Sequence, residues 1–256
     1  MITQFKRRTV WLILASALVV GGCQRRYEQD KLAQPPDVNS INITSDYAPR
    51  TIGATGGYQA WIDTVKLDRN GVVTFYRPDG TFYLTEHYYE IYPWSNAIRV
   101  SADEPRGGFV WQLSAEGFRI LQGGRAGTYD SGYEMQSVLR AVLDITTAPV
   151  RLLDSAGLVK APEPVKVEGL WHHSIERAGS EVEPRLPEAV FYQDADSGLV
   201  DMIWFADAAG QKSFAVRGYD YRKAGKQQVL VPAKIEVFRT DAKGLLQKRL
   251  VKIDFK

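Results

Sequence analysis

Cysteine and histidine are scarce in this sequence. Its 256 residues include one cysteine and three histidines, His87, His172 and His173. A single cysteine excludes an intramolecular disulfide framework and any cysteine-rich zinc or iron–sulfur site. Basic and acidic side chains nearly balance, at 32 and 30, so the chain lacks the strongly basic surface that is typical of nucleic-acid-binding proteins. We therefore expect no metal centre and no nucleic-acid partner.

Familiar catalytic and nucleotide-binding motifs are also missing. The chain contains no Gly-x-Ser-x-Gly turn, no Walker loop and no Gly-x-Gly-x-x-Gly. His172 and His173 are adjacent in a predicted strand, so we expect their side chains to point to opposite faces rather than to share a metal. These absences favour a protein that is not an enzyme and uses no cofactor. An envelope hydrolase is the opposing interpretation, and it would require clustered Asp, Glu or His residues.

One short segment resembles the opening of a calcium-binding loop. It begins at Asp194, but Gly198 occupies its fifth position, and Phe205 stands where such a loop needs a glutamate. The Asp, Ser and Gly residues of the segment instead predict a hairpin turn.

The longest apolar run lies at the N-terminus and is short. Residues 1–22 carry a basic head and then the mainly apolar run 10–20, which is shorter than the roughly 20 residues of a transmembrane helix. This pattern predicts a secretory signal peptide. The run ends in Gly21, Gly22 and Cys23, which resembles the lipobox of bacterial lipoproteins. An ordinary signal peptide with an incidental cysteine is the alternative.

The lipobox resemblance implies that Cys23 carries acyl chains, such as palmitate, and anchors the mature protein to a membrane. Two or three such chains suffice, because each buried methylene contributes about 0.8 kcal/mol. Gln24 follows the cysteine, where enteric bacteria use aspartate to retain lipoproteins in the inner membrane. We therefore expect the periplasmic face of the outer membrane. Residues 23–45 are polar and proline-containing, which is typical of a tether, and the folded domain is expected over 46–256.

The rest of the chain alternates turn signals with short apolar and β-branched runs. This pattern predicts a mainly β (α+β) domain in which about eleven antiparallel strands follow one another as hairpins. The predicted strands cover 72–77, 81–92, 97–102, 109–114, 118–121, 165–175, 189–193, 199–205, 213–221, 229–238 and 245–255.

Alternation is clearest over residues 229–237, where every second residue is apolar while Lys234 and Glu236 are predicted on the solvent face. Pro232, also on that face, suggests an edge strand or a bulge. Arg99 and Arg217 stand within strand-like runs, and we expect them in solvent, with a bond to a helix as the alternative.

Two segments depart from the β pattern. Residues 134–145 place Met135, Val138, Leu139 and Val142 at the spacing of an amphipathic helix. A weaker helix is expected within 46–63, limited by a proline and a Gly-Gly pair. A sheet of this size should curl into a barrel or part-barrel, with the helices over its concave side or mouth. Its many aromatic residues then either fill a core or line an apolar cavity.

The second half of the chain resembles the LolA/LolB-like superfamily of outer-membrane lipoprotein carriers. The resemblance lies in the order of strands and turns over 191–255, carried by the segments 196–200, 207–210, 219–221, 231–235 and 251–255. It implies an unclosed β-barrel with helical lids, whose half-barrel holds the acyl chains of lipids or lipoproteins without bond-making chemistry. The anchored members of the superfamily match a lipidated Cys23 best.

The expected function is therefore a membrane-anchored envelope lipoprotein that binds acyl chains, with transfer or localisation of lipoproteins as its role. From the pattern alone, Trp111, Trp204, Met135 and Leu139 are candidate lining residues, and a plain core is the alternative for each. The helix at 134–145 would serve as the lid. The competing hypothesis is a structural or sensory envelope lipoprotein that uses the same fold as an interaction scaffold, with a filled interior.

Overall fold

The computed structural model describes residues 32–36, 47–103, 108–122, 135–153, 158–161, 163–178, 188–206, 213–241 and 245–256. The chain divides into two compact units, Met1–Gln34 and Pro35–Lys256. The predicted signal peptide, Cys23 and Gln24 lie outside the described residues, and so does most of the predicted tether. No helix in the described part of the chain is long and apolar enough to cross a membrane.

Thirteen strands form one sheet in the part of the chain that the structure describes. They are β1 Leu67–Tyr76, β2 Phe82–Tyr92, β3 Ala97–Ala102, β4 Phe109–Ser114, β5 Gly117–Gln122, β6 Leu158–Lys160, β7 Val165–Val167, β8 Leu170–Arg177, β9 Glu188–Asp194, β10 Val200–Ala206, β11 Phe214–Ala224, β12 Val229–Thr240 and β13 Leu246–Phe255.

The sequence underestimates the strand count, because it misses β6 and treats β7 and β8 as one strand. The single run predicted over 165–175 is two strands, because Glu168 and Gly169 both adopt positive φ (47° and 91°) and form a two-residue hairpin turn. The strand predicted over 72–77 begins earlier, and Gly71 lies inside β1. A Cβ at Gly71 would stand 3.1 Å from atoms of both Ile253 and Phe255, so glycine permits the close approach of β13.

The sheet consists of two meanders, β1–β5 and β6–β13, joined where β1 pairs antiparallel with β13. The strand order is β5-β4-β3-β2-β1-β13-β12-β11-β10-β9-β8-β6, with β7 paired to β8. Strands β5 and β6 form the two edges and do not pair with each other in the described chain. The predicted antiparallel, unclosed β-barrel is confirmed.

Four helices accompany the sheet in the described residues, α1 Ala48–Ala54, α2 Tyr58–Ile62, α3 Met135–Thr146 and α4 Ala148–Arg151. The predicted amphipathic helix is confirmed as α3. The weaker predicted helix is two short helices, separated where Gly56 and Gly57 adopt φ of 119° and 90°.

Helix α3 explains the curvature of the sheet. It packs against β3 and β4 in one meander and against β10, β11 and β12 in the other. Strands β4 and β10 are seven positions apart in the sheet order, or about 34 Å in a flat sheet. A helix of 12 residues is only about 18 Å long. The sheet therefore curls around α3, and its concave face carries the core.

Strand β12 corrects the expectation about Pro232. It lies between β11 and β13 in the middle of the sheet, so the prediction of an edge strand is wrong. Pairing of β12 with β13 starts only at Lys234, which leaves Pro232 without a β13 partner beside it. Its carbonyl instead accepts a hydrogen bond from Arg69 Nη1 at 2.6 Å. A proline is tolerated here because no ladder hydrogen bond requires its N–H.

Of the charged residues predicted in solvent, Glu236 and Arg217 are buried and Arg99 is half-buried. Glu236 is 3% exposed, with its carboxylate 3.2 Å from Lys234 Nζ and 3.5 Å from Arg249 Nη2. Arg217 is 9% exposed, and Arg99 lies with its Nε 3.8 Å from a carboxylate oxygen of Glu90. These predictions are wrong because a charge inside a strand can be buried when an opposite charge on a neighbouring strand meets it.

Candidate functional site

The concave face of the sheet beneath α3 is the main apolar surface of the protein. Ten of the 12 residues of α3 are buried. Its apolar side chains join one core cluster with those of both meanders. Four residues of the sheet and four of the helix illustrate this cluster, namely Ile98, Trp111, Phe205, Val231, Met135, Val138, Leu139 and Val142.

Three of the four predicted lining residues meet in this core. Trp111, Met135 and Leu139 are 0%, 5% and 2% exposed and belong to the same cluster. The ring of Trp111 stacks on Phe109 with centroids 3.8 Å apart. Trp204 is half-buried, and its Nε1 donates to Thr240 Oγ1 at 3.1 Å.

Trp204 is placed apart from the other three. Its neighbours along β10, Ile203 and Phe205, belong to the core cluster. Because side chains alternate along a strand, Trp204 projects from the convex face. The sequence cannot tell which face of the sheet Trp204 occupies, because almost every residue of β10 is apolar and the strand shows no alternation.

A polar clamp holds α3 at the centre of the concave face. Asp144 is fully buried, with its carboxylate 3.5 Å from Arg140 Nη1 on the same helix. Arg177 Nη2 of β8 donates to the other carboxylate oxygen at 3.2 Å. Arg140 also donates to Asn96 Oδ1, in the turn between β2 and β3, at 2.8 Å. The helix is thus tied to both meanders through charged groups.

His87 on β2 is the polar residue of this face that the sequence analysis did not single out. It is 3% exposed. Three aromatic rings surround it, with centroids 5.1 Å away for Phe109 and 5.9 Å away for both Phe75 and Tyr89. Burial in this apolar niche lowers the pKa of His87 from 6.5 to about 3. The available signal was the period-two alternation, which places His87 on the same face as Tyr89.

The convex face of the second meander carries a separate ionic cluster. His172 is 1% exposed, and its Nε2 lies 3.0 Å from Asp201 Oδ1. Arg217 Nη2 is 3.7 Å from the other oxygen of Asp201, and Arg217 also pairs with Glu168. Burial raises the pKa of Asp201, while the neighbouring His172 opposes that shift. The side chain of His173, next in the strand, projects from the opposite face of β8, as predicted.

The segment after Asp194 is a hairpin turn between β9 and β10, as predicted. One oxygen of the Asp194 side chain accepts from the backbone N–H groups of Asp196 and Ser197, at 3.2 and 2.6 Å. Arg50 Nη2 donates to the carbonyls of Ala195 and Asp196. The carbonyls of the turn thus bind a guanidinium. Within the described residues, no three His, Cys, Asp or Glu side chains cluster in a way that could hold a metal.

Comparison with known proteins identifies relatives by structure alone. No family model matches the chain, and no curated protein matches it. A LolA superfamily protein of Nitrosomonas europaea superposes with a TM-score of 0.54 at 9% identity, covering 83% of this chain and 92% of that one.

Two further solved structures are more distant. A DUF1329 family protein of Desulfovibrio piger gives a TM-score of 0.46 at 13% identity, covering 87% of this chain and 92% of its own. A domain described as an outer membrane lipoprotein-sorting protein, from Vibrio parahaemolyticus, gives 0.37 at 8% identity over 75% and 83% of the two chains. At 9% identity, the likeness to the LolA superfamily protein concerns the fold alone, which is that of a LolA-like unclosed β-barrel.

Proposed function

We propose that this protein is a lipid-anchored envelope lipoprotein that binds acyl chains of lipids or lipoproteins on the concave face beneath α3. The observation that supports it most is the position of α3, a single amphipathic helix that covers the apolar face of an unclosed sheet. Of the four predicted lining residues, the proposal uses Trp111, Met135 and Leu139. It involves no bond-making chemistry.

Entry of an acyl chain would require α3 to move, since its side chains occupy the concave face. A chain of 16 carbons would gain roughly 12 kcal/mol gross from the burial of its methylenes. The cost of displacing the helix is subtracted from that gross gain, so the net binding is weaker and reversible. The polar clamp of Arg140, Asp144 and Arg177 then acts as the fastening of the lid.

The anchor is the second element of the proposal. Acylation of Cys23 with chains such as palmitate would hold the domain at a membrane, with residues 24–45 as the tether. Gln24 favours the periplasmic face of the outer membrane. Mass spectrometry of the mature N-terminus tests this directly, because a Cys23→Ser variant should lose both the acyl mass and the membrane fraction.

A scaffold role is the competing function, and the burial of α3 supports it. Ten buried residues in this helix mean that the protein's own side chains fill the interior. In that case the sheet would present interaction surfaces and bind no lipid.

Quenching of tryptophan fluorescence separates the two functions. The chain from residue 24 onward is titrated with the methyl ester of palmitate that carries bromine atoms along its acyl chain. Bound probe should quench Trp111, so Trp111→Phe should remove most of the quenching. The matched control is Trp171→Phe, because Trp171 is 57% exposed on β8. Equal quenching in both variants, or none in the unmodified protein, would overturn the acyl-binding function and favour the scaffold.

A further inference from the structure

Strand β2 presents a buried hydrogen-bond donor to the concave face. His87 on β2 pairs with Gly71 on β1. The Nε2 atom of His87 has no hydrogen-bond partner among the described residues. The hydroxyl of Thr85, two residues earlier and therefore on the same face, also has none there. An unpartnered buried polar group destabilises a fold by about 1–3 kcal/mol, so its presence in an aromatic niche points to a ligand.

The hydroxyl of Tyr89 lies 3.4 Å from Nδ1 of His87. A neutral imidazole carries one ring hydrogen, and we assign it to Nε2, so that the Tyr89 hydroxyl donates to Nδ1. Nδ1 is then the acceptor, and Nε2 carries the hydrogen. His87 therefore presents one N–H donor to its surroundings.

The charge of His87 narrows the class of ligand. With a pKa lowered to about 3 by burial, the imidazole is neutral at physiological pH. The rings of Phe75 and Phe109 beside it provide no charge to attract an ion. A neutral donor in an apolar niche suits a neutral acceptor, such as an ester or amide carbonyl. It suits a carboxylate less, because Arg69, a buried cation on the same face, is already engaged by the carbonyl of Pro232 and the ring of Phe255.

Aromatic contacts connect His87 to the core beneath α3. Phe109 contacts His87 edge-on and stacks on Trp111, and their strand β4 packs against α3. An acyl chain lying beneath α3 could therefore place its linkage carbonyl at His87.

We propose that His87 is a specificity residue that donates a hydrogen bond from Nε2 to the carbonyl of an ester- or amide-linked acyl chain. This inference rests on the acyl-binding function and adds the ligand class, which is the acylated linkage of a lipid or lipoprotein rather than a free fatty acid.

Photo-crosslinking tests the inference with the full chain in phosphatidylglycerol nanodiscs. Two probes of matched length carry the same diazirine, one a palmitoyl methyl ester and the other a plain hydrocarbon. In His87→Phe, the ratio of ester to hydrocarbon labelling should fall about threefold to tenfold, the value of one net hydrogen bond. His87→Gln keeps an N–H donor and should retain part of the ratio. His173→Phe, on β8, should leave the ratio unchanged.

Each outcome decides between the two proposals. If both probes label the protein and the ratio is the same in His87→Phe, the carbonyl contact is overturned while acyl binding stands. If neither probe labels residues beneath α3 more strongly than exposed residues of the unmodified protein, acyl binding itself is overturned. Should His87→Phe not fold, His87→Met replaces it, because methionine also lacks an N–H donor, and an unchanged ratio in that variant overturns the carbonyl contact.

Discussion

The two meanders bury polar groups in different ways. In β1–β5, His87 lies neutral among aromatic rings, while Glu90 is buried with Arg99 as its counter-charge. In β6–β13, the buried groups named above are charged and paired, as with Asp201 between His172 and Arg217, or Glu236 beside Lys234 and Arg249. Burial removes a charge where no counter-charge is near and preserves it where one is. The difference between the meanders is therefore the neutral imidazole that no counter-charge meets, which the first meander holds at His87.

The largest expected loss of stability comes from Asp144, a buried charge with charged partners, in contrast to the neutral His87 in its apolar niche. Asp144→Ala should reduce the free energy of unfolding by about 3–5 kcal/mol, because Arg140 and Arg177 would lose the carboxylate that compensates their burial. Urea denaturation measures the loss. A reduction below about 1 kcal/mol would show that the clamp does not hold α3.

The pH dependence of stability tests the neutral state of His87. The unfolded chain takes up a proton near pH 6.5, whereas the folded protein takes it up only near pH 3. The unfolded state therefore binds more protons in this window, and stability falls as the pH falls through it, by about 1.4 kcal/mol per pH unit. Urea denaturation at pH 7, 6 and 5 should show that His87→Phe removes this component. Parallel curves for the two proteins would contradict the prediction.

His172 tests the opposite case, a buried histidine with an ionic partner. His172→Phe should reduce the free energy of unfolding by about 1.5–3 kcal/mol, because Asp201 would lose its hydrogen bond at 3.0 Å. His173→Phe is the matched control on the same strand and should change stability by no more than about 0.5 kcal/mol. Similar losses in both variants would mean that the ionic cluster does not stabilise the second meander.

An exposed ion pair should have the smallest effect. Glu116 and Arg119 approach to 2.6 Å, but their side chains are 63% and 47% exposed. Glu116→Ala should therefore change the free energy of unfolding by less than about 0.5 kcal/mol, and 1 M salt should remove even that difference. A larger loss would show that pairing matters for stability here irrespective of burial.

Much of the fold could be predicted from local pattern. The amphipathic spacing of Met135, Val138, Leu139 and Val142 requires an apolar partner surface, and the structure provides it as the curled sheet. The turn at Asp194 could be predicted because an aspartate at this position accepts a hydrogen bond from a backbone N–H group of the turn that follows it. The turn at Glu168 was not, because glutamate rarely adopts positive φ and gives no turn signal.

Only part of the candidate site could be predicted from the sequence. Trp111 and Trp204 have the same strand-like context, yet Trp111 lies in the core and Trp204 on the convex face, since face depends on strand register. The sequence did not identify His87 as a candidate, because its apolar environment is formed by rings on β1 and β4 that only the folded sheet brings beside it.

The sequence by itself determined the antiparallel strands and the α3 amphipathic helix, because these depend on residues close together in the chain. Its export and lipidation signals stay predictions. Only the tertiary structure decided which charges are buried, which strands form the edges and where the unpartnered donor of His87 lies. The physical reason is that desolvation, ion pairing and curvature depend on neighbours from distant strands. The pairing of β1 with β13, which joins the two meanders, brings together residues about 180 positions apart, such as Val73 and Ile253.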